Sequence, residues 1–247
     1  PYAAYLHFMP PHDPYNPRQE FIGVFADQPA DQQTKPEHFF SEGRDQAFLD
    51  KKREQYDEYI AYVDAEFGRL VSGLEAAGEL DNTWLVLTSD HGELFERGIY
   101  RHITPVLYDP IVHVPLLIQA PGQTVRQDIH TLTSNVDILP TLLRQVGLAT
   151  PVGLDGKLLP PWGAVEEERV IFAVDAKTNP KVGPLNRGTI AAMQQDQKLI
   201  HYFGYDGFAS EFEYYDLALD PEELNNRYSG SSSQEQYLLN LINQLRG

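Results

Sequence analysis

Apolar and aromatic residues recur at helical spacing over residues 47–77. The positions that follow this spacing are Phe48, Tyr56, Tyr59, Ile60, Val63, Phe67, Leu70, Val71 and Leu74. Gly78 follows them directly, and glycine commonly ends helices because it adopts the left-handed backbone conformation at little cost. The pattern therefore predicts one long helix with an apolar stripe.

Two short runs of consecutive apolar residues come next, at 84–88 and 114–118. Such runs are typical of strands that are buried on both faces. A second helix is predicted from a cap at Asn135 or Asp137 as far as Val146. The alternation of helix and buried strand predicts an α/β fold, a layered sheet with flanking helices.

The pattern changes after the prolines at 160 and 161. Four short segments separated by turn residues follow, at 169–174, 189–193, 198–203 and 211–216. They predict a small antiparallel sheet, and residues 235–245 predict a final amphipathic helix. We therefore expect an α/β domain over residues 1–163 and a small antiparallel-sheet subdomain with a terminal helix over residues 164–247.

The N-terminal segment joins an apolar run to a cluster of prolines. Residues 5–9 predict the end of a short buried strand. Prolines at 10, 11, 14 and 17 exclude regular structure beyond it, which places His12 on a stiff loop. The polar stretch 16–46 predicts a long irregular connection, and loops of that length are usually functional or poorly ordered.

Composition and charge narrow the classes of function. The 247 residues are 42% hydrophobic and 22% charged, an ordinary globular composition. The 19 basic and 36 acidic residues give a net charge of -17, which disfavours nucleic-acid binding while a local cationic or metal-lined pocket could still hold an anion. With no cysteine there is no disulfide, thiolate zinc site or cysteine nucleophile, and no apolar run predicts a membrane span.

Candidate chemistry follows the first buried strand, at Ser89-Asp90-His91-Gly92-Glu93. Ligands bind at the carboxyl ends of strands in open α/β sheets, so a carboxylate and an imidazole here are placed to bind a metal ion. The alternative is structural: Asp90 caps a following helix and His91 is a satisfied polar residue. Glu93 is expected either to support such a site or to cap the next turn.

Five motifs, in order along the chain, resemble the sulfatase family of the alkaline phosphatase superfamily. They are the run Leu6 to Tyr15 with its Pro11-His12-Asp13-Pro14-Tyr15 loop; Ser89 to Glu93 with Gly98, His102, Tyr108-Asp109 and His113 to Ile118; Asn135 to Leu143; Gly153 to Lys157; and Tyr214 to Asn226. The resemblance spans nearly the whole chain. It implies an alkaline phosphatase-like α/β fold and the hydrolysis of sulfate esters.

The resemblance also implies roles for four residues. Asp90 and His91 would bind a divalent metal ion, with calcium expected and manganese, magnesium or zinc as alternatives. His12 would hydrogen-bond the sulfate or phosphate oxygens, and His102 would bind the ester oxygen or protonate the leaving group, a task that suits an imidazole. A solvated loop residue is the alternative reading of either histidine. We expect all four side chains to converge at the carboxyl ends of the strands.

Two features of the family are not visible in these residues. The family needs a nucleophile, a formylglycine made from Cys or Ser in a Cys/Ser-x-Pro-x-Arg motif or a Thr/Ser in phosphate-handling branches, and an early pair of acidic metal ligands. We therefore expect both in a segment N-terminal to this chain, which would be a partner for it. By itself the chain should have little esterase activity, bind metal weakly, and present apolar surface that favours a partner segment or self-association.

Three functions remain open on the sequence. The leading one is a metal-dependent sulfatase acting on a small anionic ester. The second is a phosphoester or phosphonate hydrolase, or a phosphoethanolamine transferase, of the same superfamily; His91 favours it because many calcium sulfatases have Asn at that ligand position. The third is a relative that has lost catalysis. The sequence leaves a periplasmic, extracellular or cytoplasmic location open.

Overall fold

The computed structural model describes residues 2–26, 34–177, 179, 183–207 and 210–247. Part of the predicted irregular connection, residues 27–33, lies outside the described residues. The chain forms two compact units. Unit 1 comprises residues 1–85, 93–104 and 118–123, and unit 2 comprises residues 86–92, 105–117 and 124–247.

The predicted long helix is α1, Gln46–Ala76, in unit 1. Asp45 caps it, since its Oδ1 accepts a hydrogen bond of 2.8 Å from Phe48 N. Gly78, with φ of 71°, follows its end as the sequence predicts. Leu49 of this helix packs with Phe95 and Tyr100 in a small core cluster.

Phe95 and Tyr100 lie on a short hairpin that the sequence does not predict. Strand β2, Phe95–Glu96, pairs antiparallel with strand β3, Ile99–Tyr100. The two residues between them, Arg97 and Gly98, have φ of 57° and 74°, as tight two-residue hairpins require. A Cβ on Gly98 would lie 2.0 Å from Ser41 Oγ, so a larger residue there would also force the Ser41 side chain to move.

The prediction of a buried strand at residues 5–9 is wrong. These residues have no regular structure, and the side chains of Leu6, Phe8 and Met9 are more than half exposed. A strand needs a neighbour for its backbone hydrogen bonds, and no strand within the described ranges pairs with this segment. The proline-rich loop after it is irregular, as predicted, and His12 N donates to Met9 O at 2.9 Å in its turn.

The two apolar runs form strands β1, Leu85–Thr88, and β4, Leu116–Gln119, which pair in a two-stranded sheet. The prediction that they are buried on both faces is wrong: none of their residues is fully buried, and Leu117 is 57% exposed, because a sheet of two strands has few neighbours to cover it. Between them lies a short helix that the sequence does not predict, α2, Asp109–Val112. The next predicted helix is α3, Ile138–Gln145, preceded by a 3-10 turn at Asn135–Asp137.

Asp137 stands at the N-cap position of α3, but its carboxylate has other partners. It accepts hydrogen bonds of 2.7 Å from both terminal nitrogens of Arg169, and others from Ser134 N and Lys157 N. Burial alone would raise the pKa of Asp137, but these donors hold it below its usual value. The carboxylate therefore binds the chain after α3 back to the start of the helix.

The predicted antiparallel sheet is confirmed in unit 2. Its strands are β5, Val170–Asp175; β6, Gly188–Gln194; β7, Gln197–Phe203; and β8, Ser210–Asp216. They lie in the order β5-β6-β7-β8, each antiparallel to the next. The terminal helix is α4, Ser233–Arg246, whose Leu238 and Ile242 pack on one face of the sheet.

Alternation along the strands gives this sheet a second face. Lys198, Ile200 and Tyr202 of β7 point away from the face that carries Leu199 and Phe203, and all five are buried. None of the helices in the described part of the chain is both long and apolar enough to cross a membrane.

Candidate active site

Two of the four predicted site residues, His12 and His102, lie together in unit 1. Their ring centroids are 5.4 Å apart in an edge-on arrangement. His12 is exposed on the proline loop, whereas His102, just beyond β3, has a side chain only 17% exposed. Two imidazoles at this distance can both contact one small oxyanion, because each can donate an N–H to a different oxygen.

Glu93 orients His102. The His102 Nδ1 lies 2.8 Å from Glu93 Oε1, and the Glu93 side chain is 3% exposed. A carboxylate beside Nδ1 favours the tautomer with hydrogen on that nitrogen. Nε2 is then the nitrogen through which His102 would exchange a proton with an ester oxygen.

Tyr15 fixes Glu93 in turn. Its hydroxyl donates to Glu93 Oε2 at 2.9 Å, so both carboxylate oxygens have a partner. Burial, followed by the negative charge of Glu93, raises the pKa of Tyr15 well above its usual value, which keeps the phenol protonated as a donor. The series Tyr15, Glu93, His102 is thus a hydrogen-bonded chain that ends at an imidazole.

Asp13 anchors the loop that carries His12. Its carboxylate accepts a hydrogen bond of 2.7 Å from the Tyr100 hydroxyl and one of 3.0 Å from Arg101 Nη1. Burial, together with the hydrogen bond to Asp13, raises the pKa of Tyr100 to about 12. His12 itself has Nδ1 2.6 Å from the Asp13 carbonyl oxygen. The end of β3 therefore holds the proline loop beside His102.

The other two predicted residues, Asp90 and His91, lie on the turn after β1 in unit 2. Asn135 supports this turn, since its Nδ2 donates to Ser89 O at 2.8 Å. Gly92 closes it: Gly92 N donates to Ile111 O at 2.8 Å. A Cβ at residue 92 would lie 2.0 Å from Pro110 O, so only glycine allows this close approach.

Asp90 and His91 have the donor atoms of metal ligands but make up only part of a site. His91 Nδ1 lies 2.8 Å from Gly92 O, and its Nε2 is 3.8 Å from Asp90 Oδ2. The Asp90 side chain is 72% exposed. Within the described ranges, no group of three or more His, Cys, Asp or Glu residues could hold a metal ion. The two residues would fill two positions of a larger ligand set.

The structure thus brings His12 to His102, and Asp90 to His91. The pairs belong to different units, and the convergence of all four residues stays a prediction. Sequence reasoning did not assign Asp13 or Tyr15, although both belong to the Pro-His-x-Pro-Tyr loop beside His12. It named Glu93 with two alternative roles, and its contacts with His102 and Tyr15 support the first.

Comparison with protein families gives two matches that together cover almost the whole chain. A sulfatase family model matches residues 1–148. A model for the C-terminal region of N-sulphoglucosamine sulphohydrolase matches residues 96–246. The second match includes the antiparallel sheet and α4.

Individual proteins agree with these models. Arylsulfatase K of Xenopus laevis is 31% identical over 182 residues, which are 70% of this chain and 33% of that protein. The N-acetylglucosamine-6-O-sulfatase of Bacteroides thetaiotaomicron is 34% identical over 193 residues, 73% of this chain and 33% of that protein. A structure solved in complex with its substrate D-glucosamine-2-N,6-O-disulfate is 28% identical with a TM-score of 0.60, covering 83% of this chain and 43% of that chain.

This chain therefore spans about a third of the length of the curated relatives it matches. Its matched residues include the proline loop, the Asp90-His91-Gly92 turn and the C-terminal sheet. The chain belongs to the sulfatase family of the alkaline phosphatase superfamily.

Proposed function

We propose that the protein to which this chain belongs is a metal-dependent hydrolase of sulfate esters. The observation that carries the proposal is the pairing of His12 with His102, whose Nδ1 is held by the buried Glu93. This pair supplies hydrogen-bond donors for a sulfate group and a positioned proton donor for the departing oxygen. Family membership supports the same reaction.

Hydrolysis of a sulfate ester breaks the bond between sulfur and the bridging oxygen, and water supplies the atoms that complete sulfate and alcohol. The bridging oxygen leaves as an alkoxide unless it gains a proton. His102 Nε2–H gives that proton, while the Glu93 carboxylate holds the ring in position through Nδ1. His12 binds the sulfate oxygens as a hydrogen-bond donor.

Asp90 and His91 would supply two metal ligands, and the metal ion would stabilise negative charge on the transferring group. Calcium prefers six or more oxygen ligands, so the remaining ligands must come from elsewhere in the protein. A carboxylate with an imidazole is also a donor set that manganese or zinc accepts. The nucleophile, a formylglycine in the family, is likewise expected in a segment N-terminal to these residues.

The substrate we propose is a sulfated amino sugar. One matching family model and one similar protein carry glucosamine derivatives in their names, and a similar structure was solved with a sulfated glucosamine. A phosphoester or phosphonate is the second candidate, because His91 stands at a ligand position that is Asn in many calcium sulfatases. Both substrates are tetrahedral oxyanions that the two histidines can bind.

The full-length protein decides between these substrates. Purified with manganese, calcium or zinc, it is assayed on N-acetylglucosamine 6-sulfate, 4-nitrophenyl sulfate, 4-nitrophenyl phosphate and a phenylphosphonate monoester. We expect the highest kcat/KM on the sulfated sugar and loss of activity with a chelator. A kcat/KM that is higher on the phosphate or phosphonate would replace the sulfatase assignment by the second candidate, and inactivity on all four would favour a non-catalytic relative.

A further inference from the structure

A fully buried lysine lies in unit 2 on the face of the antiparallel sheet opposite α4. Lys198 of β7 is 0% exposed, and its Nζ lies 2.7 Å from Asp109 Oδ1 and 2.8 Å from Glu223 Oε1. Asp109 is the first residue of α2, and Glu223 lies beyond β8 in the Tyr214 to Asn226 motif, the C-terminal element of the resemblance. One cation therefore joins the sheet, the C-terminal element and α2.

Glu223 also binds the backbone of α2. Its Oε2 accepts a hydrogen bond of 2.8 Å from Asp109 N, one of the amides at a helix start that has no partner within the helix. Glu223 has φ of 53°, a left-handed conformation that non-glycine residues rarely adopt. The chain thus accepts local backbone strain where the side chain is directed at α2.

A second buried contact holds the residue before α2. The Tyr108 hydroxyl donates to Glu213 Oε1 at 2.8 Å, and the Tyr202 hydroxyl donates to Glu213 Oε2 at 2.9 Å. Tyr108 and Tyr202 are both fully buried. Two adjacent residues, Tyr108 and Asp109, are therefore tied to the same face of the sheet.

From α2 the contacts reach the Asp90-His91 turn directly. Ile111 O accepts the hydrogen bond from Gly92 N at 2.8 Å, and the backbone at Pro110 lies against Gly92 so closely that a Cβ would not fit. A shift of α2 by a fraction of an ångström would break one of these contacts or force the turn to follow. The position of Asp90 and His91 therefore depends on what fixes α2.

We propose that Lys198 and Glu223 are positioning residues that hold the Asp90-His91 turn in place through Asp109 and α2. The proposal rests on the proposed function in that it takes Asp90 and His91 to belong to the active site. It gives the C-terminal sheet a task in that site, since its inner face fixes the helix against which the turn is built.

A positioning role and simple stabilisation differ in what apolar replacements of these residues would do. Buried ion networks often add little to stability, and well-packed apolar replacements of similar volume are commonly neutral or stabilising. Apolar residues at positions 198 and 223 cannot make these directional contacts, because they can neither accept the hydrogen bond from Asp109 N nor pair with the Asp109 carboxylate. A variant that is stable yet has a loosened turn is therefore the expected signature of a positioning role.

Amide hydrogen exchange in the full chain reads this signature without metal or substrate. The reporter is Gly92 N–H, whose acceptor is Ile111 O. In Glu223→Gln and Lys198→Met we expect its protection factor to fall at least about tenfold. The matched control is Glu235→Gln, which removes the buried capping carboxylate of α4 in the same unit and makes no contact with α2; it should leave Gly92 protection unchanged.

A double variant, Lys198→Met with Glu223→Leu, covers the case in which a single substitution leaves an unpaired charge and unfolds unit 2. It should fold, as judged by urea unfolding and by protected amides in β6 and β7, while Gly92 remains deprotected. Unchanged Gly92 protection in this folded variant would overturn the proposal, as would an equal loss in Glu235→Gln. Failure of the proposed function would appear separately, as absent hydrolysis of sulfate esters by the full-length protein.

Discussion

At the scale of single residues, neighbouring acids of one motif have different environments. Asp90 is largely exposed on its turn, whereas Glu93, three residues later, is buried and bonded to Tyr15 and His102. An exposed carboxylate retains lone pairs for a metal ion, and a buried one between two donors is committed to holding them. The two acids therefore have different tasks, although both lie in a string of five residues.

The first prediction concerns His102 in the full-length protein. His102→Gln should lower kcat on an alkyl sulfate such as N-acetylglucosamine 6-sulfate by about 10²–10⁴-fold, the usual contribution of a positioned proton donor. The loss should be much smaller on 4-nitrophenyl sulfate, because nitrophenolate leaves without needing a proton. Steady-state kinetics on the two substrates measures the difference.

The control for His102 is His130→Gln, which alters an exposed histidine without a predicted role. It should leave both substrates unaffected. If His102→Gln lowered kcat equally on the two substrates, the loss would not be one of proton donation, and His102 would be assigned to binding instead.

The second prediction concerns pH and His201, on the α4 face of the sheet. Burial, followed by the nearby positive charge of Arg246, lowers the pKa of His201 to about 4. Since an unfolded histidine has a pKa of about 6.5, the unfolded state binds the proton first as pH falls. The stability that neutral His201 contributes is thus complete above pH 6.5 and is lost as pH falls toward 4.

Urea unfolding at pH 7.5 and 5 measures this loss. The free energy of unfolding of the wild type should decrease between pH 7.5 and pH 5. In His201→Gln this decrease should be smaller by up to about 2 kcal/mol, because glutamine does not titrate. Glutamine also keeps an amide beside Ser210 Oγ. His130→Gln should retain the full decrease. Identical decreases in the wild type and His201→Gln would show that His201 does not carry it.

Site residues within local motifs can be predicted from the sequence, whereas contacts between residues far apart in the chain cannot. His12, Asp90, His91 and His102 stand in recognisable motifs, so their residue types were available to sequence reasoning. The hydrogen bond from Tyr15 to Glu93 joins residues 78 positions apart, and no local spacing encodes it. Side-chain partners of this kind are set by tertiary packing.

At the scale of elements, the fit between the Asp90-His91 turn and α2 gives the third prediction. Gly92→Ala should lower the free energy of unfolding of unit 2 by about 1–3 kcal/mol, since a Cβ 2.0 Å from Pro110 O forces the backbone apart. It should also weaken divalent-metal binding by the full-length protein, measured by isothermal titration calorimetry.

Gly68→Ala is the matched control for Gly92→Ala. Gly68 lies inside α1, where an added Cβ would meet nothing within 4 Å. Alanine there should raise stability by about 0.5–1 kcal/mol, the usual gain over glycine inside a helix. If Gly92→Ala were as benign, the close approach to α2 would not be what requires glycine.

Long elements could be predicted from sequence because each carries its own periodic signal. Helix α1 was placed to within one residue at each end, and the four strands of the antiparallel sheet were all found. The hairpin of β2 and β3 was missed, since strands of two residues are too short to show a period. Residues 5–9 show the converse error: an apolar run predicts a strand, but a strand forms only where another pairs with it.

At the scale of the whole molecule, the negative net charge opposes the proposed binding of an anionic ester. A net charge of -17 repels an anionic ester, so the proposed function requires local groups, which would be His12, His102 and a metal ion at Asp90 and His91. Because repulsion from distant charges is screened within about 8–10 Å at physiological salt, the nearby groups decide affinity. The acidic surface itself disfavours the binding of polyanions across it.

The last prediction concerns the 247 residues without any other part of the protein. They contain no cysteine and no Ser-x-Pro-x-Arg motif, and Asp90 with His91 would supply two ligand positions where calcium prefers six or more. We therefore expect no turnover of 4-nitrophenyl sulfate or 4-nitrophenyl phosphate above a His102→Gln background, and metal binding at least about tenfold weaker than in the full-length protein. The assay is repeated after refolding the chain together with the expected N-terminal segment. Because the histidine pair and its Glu93 and Tyr15 partners are already assembled within unit 1, adding that segment should restore activity without further change in these residues. Metal-dependent turnover by the 247 residues alone would contradict this prediction. The nucleophile would then be a residue of this chain.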